Sequence, residues 1–193
     1  MNSSSGTAPQ RASARFMLAH PAHLLALGFG SGLSPVAPGT VGTLWAWASY
    51  LVLDLFLGPM QWAGLLAAGL AVGWWACTRT AQHLGVADPS PVVWDEILAF
   101  WAMLWLVTPT GVHVDAGWQV VAGSMLAPQI VAFVLFRFFD ALKPGPVAWA
   151  DALFKHVRRP DGGIGWAQGF GIIFDDIVAA LCALLVMALW KAL

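Results

Sequence analysis

Charge is scarce in this chain of 193 residues. Nine Lys/Arg and ten Asp/Glu amount to 10% of it, against 59% hydrophobic residues. An ordinary soluble domain carries about 45–50% apolar and about 25% charged residues. So few charges cannot cover the surface of a soluble protein this size, and the mean hydropathy is +0.73. The deficit excludes a disordered chain and a typical cytosolic enzyme. A net charge of −1 gives no footing for a nucleic-acid partner. Cysteine is scarce too. Cys77 and Cys182 both lie in apolar runs, so a disulfide framework is excluded and two buried thiols are expected. No internal repeat is visible. Lipid must cover what charge does not, which makes this a polytopic membrane protein.

Residues 1–15 are small and polar and read as a disordered cytoplasmic tail; residues 16–193 read as one membrane-embedded domain. Five apolar segments follow, at 41–57, 60–77, 92–107, 118–139 and 172–190. At 1.5 Å per residue each reaches roughly 24–33 Å, close to a hydrocarbon core of about 30 Å. The fold class predicted is therefore all-α, a membrane bundle of about five spans. Residues 16–30 add one uncertainty to that count, as a re-entrant or interfacial helix. Trp62, Trp94, Trp118 and Trp190 fall near segment ends, as lipid-interface anchors do. Arg11 and Arg15, then Arg79, then Lys143, Lys155, Arg158 and Arg159 fall on one side, and Lys191 alone on the other. That alternation puts the N-terminus in the cytoplasm.

The same topology brings polar groups to one depth. Asp95 and Glu96 start the third segment, Arg137 and Asp140 end the fourth, and Asp175 and Asp176 start the fifth. Carboxylates in a first helical turn also favour the positive end of the dipole, so each acidic pair has a purely interfacial reading. Asp140 does not, because it sits at the negative end. Arg137 at i−3 and Lys143 at i+3 are placed to compensate it, either as a local salt-bridge cluster or as a metal or phosphate site. Five acids without a Cys or His cluster suit a hard cation, and magnesium takes oxygen ligands together with substrate phosphate. Asp95, Glu96, Asp140, Asp175 and Asp176 are the candidate catalytic and metal-binding residues. Arg137 and Lys143 are the candidate phosphate contacts. The Gly/Pro stretch 28–42 allows close approach of backbone N–H groups to an anion, with Gly39, Ser31, Ser34, Thr40 and Thr43 as contacts or donors; its plainer reading is a tight connection. His23 is a candidate general base or substrate contact, although an interfacial histidine is the commoner case. Asp54 lies away from the cluster, and Asp88, Asp151 and Asp161 read as loop residues.

Four stretches carry a family resemblance: HLLALGFGSGLSPVAPGTVGT (23–43), VVWDEILAFW (92–101), FRFFDALKPGPVAWAD (136–151) and GFGIIFDDIVAA (169–180). In that order they resemble the phosphatidylglycerophosphatase A family. The resemblance implies a magnesium-dependent inner-membrane hydrolase, multi-pass, with its site facing the cytoplasm. It would take phosphatidylglycerophosphate to phosphatidylglycerol. It maps the family's acidic positions onto the five carboxylates and its basic pair onto Arg137 and Lys143. The family's histidine stands close to its Asp-Asp pair. Here VRRPDGGIGWAQ separates His156 from Gly169, so no catalytic role passes to His156. Ala99 stands where the family has glycine, a change that packing tolerates.

The competing class is a cation-coupled transporter or channel, since ionisable groups within spans mark ion pathways. Transporters place such groups near the midplane, often in repeated halves. Here they gather at one end. The head-group transferase signature DG…AR, the SGH motif of histidine phosphatases and a DxDx(T/V) stretch are all missing.

Overall fold

The computed structural model describes residues 12–109, 121–155, 157 and 162–192. Among these the fold is all-helical. Short helices α1 (Ala14–Leu18) and α2 (Pro21–Ala26) lead through a 3-10 turn (Gly28–Leu33) into α3 (Pro38–Leu53). Then come α4 (Pro59–Leu84), α5 (Trp94–Val107), a π-type turn (Val121–Leu126), α6 (Ala127–Leu142), α7 (Pro146–Lys155) and α8 (Trp166–Ala192). The expected polar tail is shorter than 15 residues, because Ser13 caps α1 by accepting from the Phe16 N–H at 3.2 Å. Trp118, His156, Arg158, Arg159 and Asp161 lie outside the described residues, as does the segment 1–11.

Three helices are long and apolar enough to cross a membrane: Pro59–Leu84, Gly123–Leu142 and Trp166–Ala192. Their outward faces carry Leu70, Val72, Ile130, Val134, Leu181 and Leu185, all exposed. The two remaining apolar segments are shorter than expected. By their 16 and 14 residues, α3 and α5 reach only about 24 Å and 21 Å. α5 is buried nearly all round, because α3, α4, α6 and α8 pack against it. A helix that is apolar on every side belongs in such a core. Phe100 of α5 stacks on Phe136 of α6 at 5.5 Å, and both are fully buried.

Two helix ends differ from the sequence reading, each for a local reason. α4 does not stop at Cys77 but runs on to Leu84, where Gly85 takes a left-handed cap (φ +71°). Its polar turns stay helical because their hydroxyls find acceptors: Thr78 Oγ1 donates to the Trp74 carbonyl and Thr80 Oγ1 to the Ala22 carbonyl. Arg79 is therefore helical rather than in a loop. α8 begins at Trp166, not at 172. Gly169 and Gly171 look like breakers, yet they serve contact between helices. A methyl group on Gly169 would overlap Thr78 of α4, and one on Gly171 would come 2.5 Å from Phe154 Cβ of α7.

The tryptophans divide as well. Trp190 is exposed, as an anchor should be, but Trp62 and Trp94 are core residues. Trp62 stacks on Tyr50 at 4.7 Å and donates to Asp54 Oδ1 at 2.9 Å. Trp94 lies against Gly73 and donates to the Gly69 carbonyl at 3.1 Å. An indole whose N–H has a buried partner packs inside more favourably than at the interface.

Candidate active site

The start of α5, the start of α3 and the end of α6 meet at one end of the bundle. α4 passes this level near Gly73 and α8 near Asp176, and each continues about 15 Å beyond it. α2, with α1 packed on it, lies on the overshooting part of α4, and α7 on that of α8. The site lies at the base of this collar.

Asp95 and Glu96 occupy the first turn of α5, as the sequence suggested. Asp175 and Asp176 do not occupy a first turn. They follow Trp166 by nine and ten residues, so a favourable helix dipole cannot account for them. Both are buried in the interior of a long apolar helix. Ligand oxygens of Asp95, Glu96 and Asp176 all lie within 4.8 Å of one another. Asp140 lies beside Asp176. Its own partner is Arg137, as the i,i+3 spacing predicted. Arg137 Nη1 also lies 3.8 Å from Glu96 Oε1 and 3.5 Å from Thr43 Oγ1.

Gly39 explains how three helices come so close. It is the second residue of α3, and a methyl group there would overlap Glu96 Oε1 and come 3.2 Å from Arg137 Nη1. Only a residue without Cβ fits. Thr43, one turn on, is fully buried and donates to the Gly39 carbonyl at 2.8 Å. Thr40 sits between them, half-buried.

Lys143 departs from its expected place. It leaves α6 in a left-handed conformation (φ +46°), which carries its side chain off the Asp140 face. Nζ hydrogen-bonds Asp175 Oδ2 and, at 2.5 Å, Asp151 Oδ1. Burial alone would lower its pKa, but the bonds to both carboxylates and their charges raise it above the ordinary lysine value, so the ammonium stays charged. Asp151, read as a loop residue, is thus a helical residue beside the site. The turn residues KPGP were the signal that the chain turns there, and the helix that follows, α7, packs on α8.

Two other candidates are engaged elsewhere. Ser31 donates to the Gly28 carbonyl at 2.9 Å, inside the turn that packs on Val93 and Ile97. His23 stacks on Phe16 at 3.9 Å, with Nδ1 2.8 Å from the Phe16 carbonyl and Nε2 2.7 Å from His83 Nδ1. This histidine pair ties α2 to the end of α4.

Two atoms at the site have no partner. Asp95 Oδ1 and Glu96 Oε2 are buried without a hydrogen bond among the described residues. An unpaired buried carboxylate oxygen costs several kcal/mol unless a cation compensates it. Among the described residues, the ion pairs of the five carboxylates go to Arg137 and Lys143. An all-oxygen donor set with orphaned, buried atoms fits a hard divalent cation.

The sequence model of the Phosphatidylglycerophosphatase A family matches residues 24–191. The chain belongs to that family. A relative of that name from Escherichia coli is 38% identical over 170 residues, 88% of this chain and 83% of the relative. One from Haemophilus influenzae is 34% identical over 173 residues, 90% of each chain. A third, from Bacteroides thetaiotaomicron, is provisionally named a phosphatidylinositol-3-phosphatase. It is 34% identical over 170 residues, 86% of this chain and 90% of the relative. No solved structure matches. All four stretches that carried the resemblance fall within or at the edge of the matched span, and each contributes a wall of the site.

Proposed function

We propose that this family member is a membrane-lipid phosphatase that hydrolyses the terminal phosphomonoester of phosphatidylglycerophosphate, giving phosphatidylglycerol and phosphate, with magnesium as cofactor. The observation that carries the site assignment is the pair of orphaned oxygens, Asp95 Oδ1 and Glu96 Oε2, beside Asp176. Asp95, Glu96 and Asp176 would hold the metal, with Asp140 next to them. When bound, magnesium polarises a phosphoryl oxygen and lowers the pKa of a water.

The chain's own groups do the rest. The Arg137 guanidinium lies among Glu96, Asp140 and Thr43, where it can fork onto two phosphate oxygens. Lys143 adds a fixed positive charge. As the water oxygen bonds to phosphorus, a carboxylate takes its proton, the P–O bond to glycerol breaks, and the glycerol oxygen gains a proton. The collar of α7, α8 and α4 keeps bulk water from the buried carboxylates.

The reading includes five spans, with α3 and α5 as short ones; α5 is sheathed by its neighbours, while α3 turns Leu44, Trp45 and Val52 outward. Lys143 and Arg79 flank the site end and Lys191 the far end, which supports a site facing the cytoplasm from the inner membrane. The test is phosphate release by purified protein in mixed micelles. Phosphatidylglycerophosphate should be cleaved with magnesium and not with EDTA, and phosphatidylinositol 3-phosphate more slowly. Release from neither lipid would overturn the proposal, and cation flux in liposomes would favour the transporter class instead.

A further inference from the structure

We propose that Asp151 is a positioning residue that holds Lys143 in place for the substrate phosphate. The inference rests on the phosphatase reading and deepens it. α6 ends at Leu142, and the next residues turn the chain sharply. Lys143 (φ +46°) and Gly145 (φ +51°) are both left-handed, and Pro146 opens α7. A non-glycine residue in that region is strained, and strain persists only where surrounding contacts over-determine it. The turn sends α7 against α8. Its inward face carries Val147, Ala150, Asp151 and Phe154; Val147 and Ala150 are fully buried. Phe154 packs on Phe170 and Phe174 of α8 at 5.5 Å, with Gly171 admitting it. That packing fixes where Asp151 sits.

The result is a clamp on one ammonium. Asp151 reaches Lys143 from α7 and Asp175 reaches it from α8. A lysine ammonium has three donors. Two go to these carboxylates, and the third is left for a phosphate oxygen. Lysine is a point charge on a flexible four-carbon stem, and holding it in one geometry costs rotamer entropy. Asp151 meets that cost in the free protein, before substrate arrives. Asp175 alone would hold the amine at a single point. The Asp95, Glu96 and Asp176 oxygens form the metal-sized cluster, and Asp151 engages Lys143 beside it.

The experiment is steady-state kinetics in mixed micelles on Asp151→Asn, Asp151→Glu, Lys143→Gln and the double variant Asp151→Asn/Lys143→Gln. Thermal unfolding reports on folding. Positioning of a ground-state phosphate contact predicts a KM about 5–10-fold higher in Asp151→Asn, with kcat changed less. Asp151→Glu should recover most of the loss. The double variant should be no worse than Lys143→Gln alone, because the two act as one unit. Wild-type kinetics in a folded Asp151→Asn, or losses that multiply in the double variant, would overturn the proposal. Absence of phosphatase activity in the wild-type protein would instead strike the functional reading beneath it.

Discussion

Replacing Gly39 by alanine sets two effects against each other. In a helix, Gly→Ala stabilises by roughly 0.5–1 kcal/mol. Gly39 has an ordinary helical backbone, so the new methyl is not strained by φ. It is opposed by what lies above it. The added carbon would overlap Glu96 Oε1 and approach Glu96 Cδ and Arg137 Nη1 to 3.2 Å. Relieving that overlap moves the carboxylate by about 1 Å, a displacement that can cost about 10²-fold in rate. Overpacking itself costs about 1–3 kcal/mol, partly offset by helix propensity. The account therefore predicts a folded protein, within a few degrees of the wild-type midpoint, with phosphatase turnover down about 10²-fold. Gly42→Ala is the control. Its methyl would meet Val93 Cβ at 2.8 Å, in the core behind the site. It should lower stability with a smaller loss of turnover per folded molecule. Full activity in Gly39→Ala would refute the claim that α3 is pressed against the Glu96 carboxylate.

Asp176→Asn should lower turnover beyond the ~10–100-fold typical of a residue that only orients a metal ligand, as measured by phosphate release across a magnesium titration. Asp95→Asn should raise the unfolding midpoint in EDTA, because it removes a buried acid crowded against Glu96 and Asp176 with an unpartnered oxygen, while abolishing activity. Gly171→Val should push Phe154 away and destabilise the α7–α8 contact by about 1–3 kcal/mol, seen as a lower midpoint. Stability should also fall with acid through His23. Burial first, then the neighbouring His83 and His20, hold its pKa below 6.5, against the Phe16 carbonyl, which raises it. The unfolded chain then takes up the proton more readily. The stabilisation is complete above pH 6.5 and is lost as pH falls through the lowered folded value. His23→Gln should therefore flatten the change in midpoint between about pH 7 and pH 5 relative to wild type.

The sequence carried the site's composition better than its geometry. Apolar runs marked the main helices, and the acids near their ends gather at one end of the bundle. The i,i+3 spacing anticipated the Arg137–Asp140 pair. Helix ends were misread where a residue type had a second use. The glycines at 169 and 171 resemble breakers, but they are helical positions chosen for contact with Thr78 and Phe154. The polar run after Cys77 resembles a loop, but Thr78 and Thr80 satisfy their hydroxyls on nearby carbonyls. Both errors shortened helices and so hid the collar. Placing α8 six residues too late also put Asp175 and Asp176 at a helix start, where a dipole seemed to explain them. Trp62 and Trp94 were assigned to lipid because their acceptors, Asp54 and the Gly69 carbonyl, are set by packing between helices. Which acids meet was not legible. Asp175 faces Lys143, whereas its neighbour Asp176 faces Asp95 and Glu96. That division depends on the rotation of α8, which hydrophobic pattern fixes only coarsely.

The most direct measurement is thermal unfolding of the purified protein with and without magnesium, beside the Asp95→Asn/Glu96→Gln/Asp176→Asn variant. A cation that binds only the folded state at 100 times its Kd adds about 2.7 kcal/mol. The account predicts that magnesium raises the wild-type midpoint by several degrees and leaves the triple variant unmoved. An unchanged wild-type midpoint, or an equal rise in the variant, would contradict it.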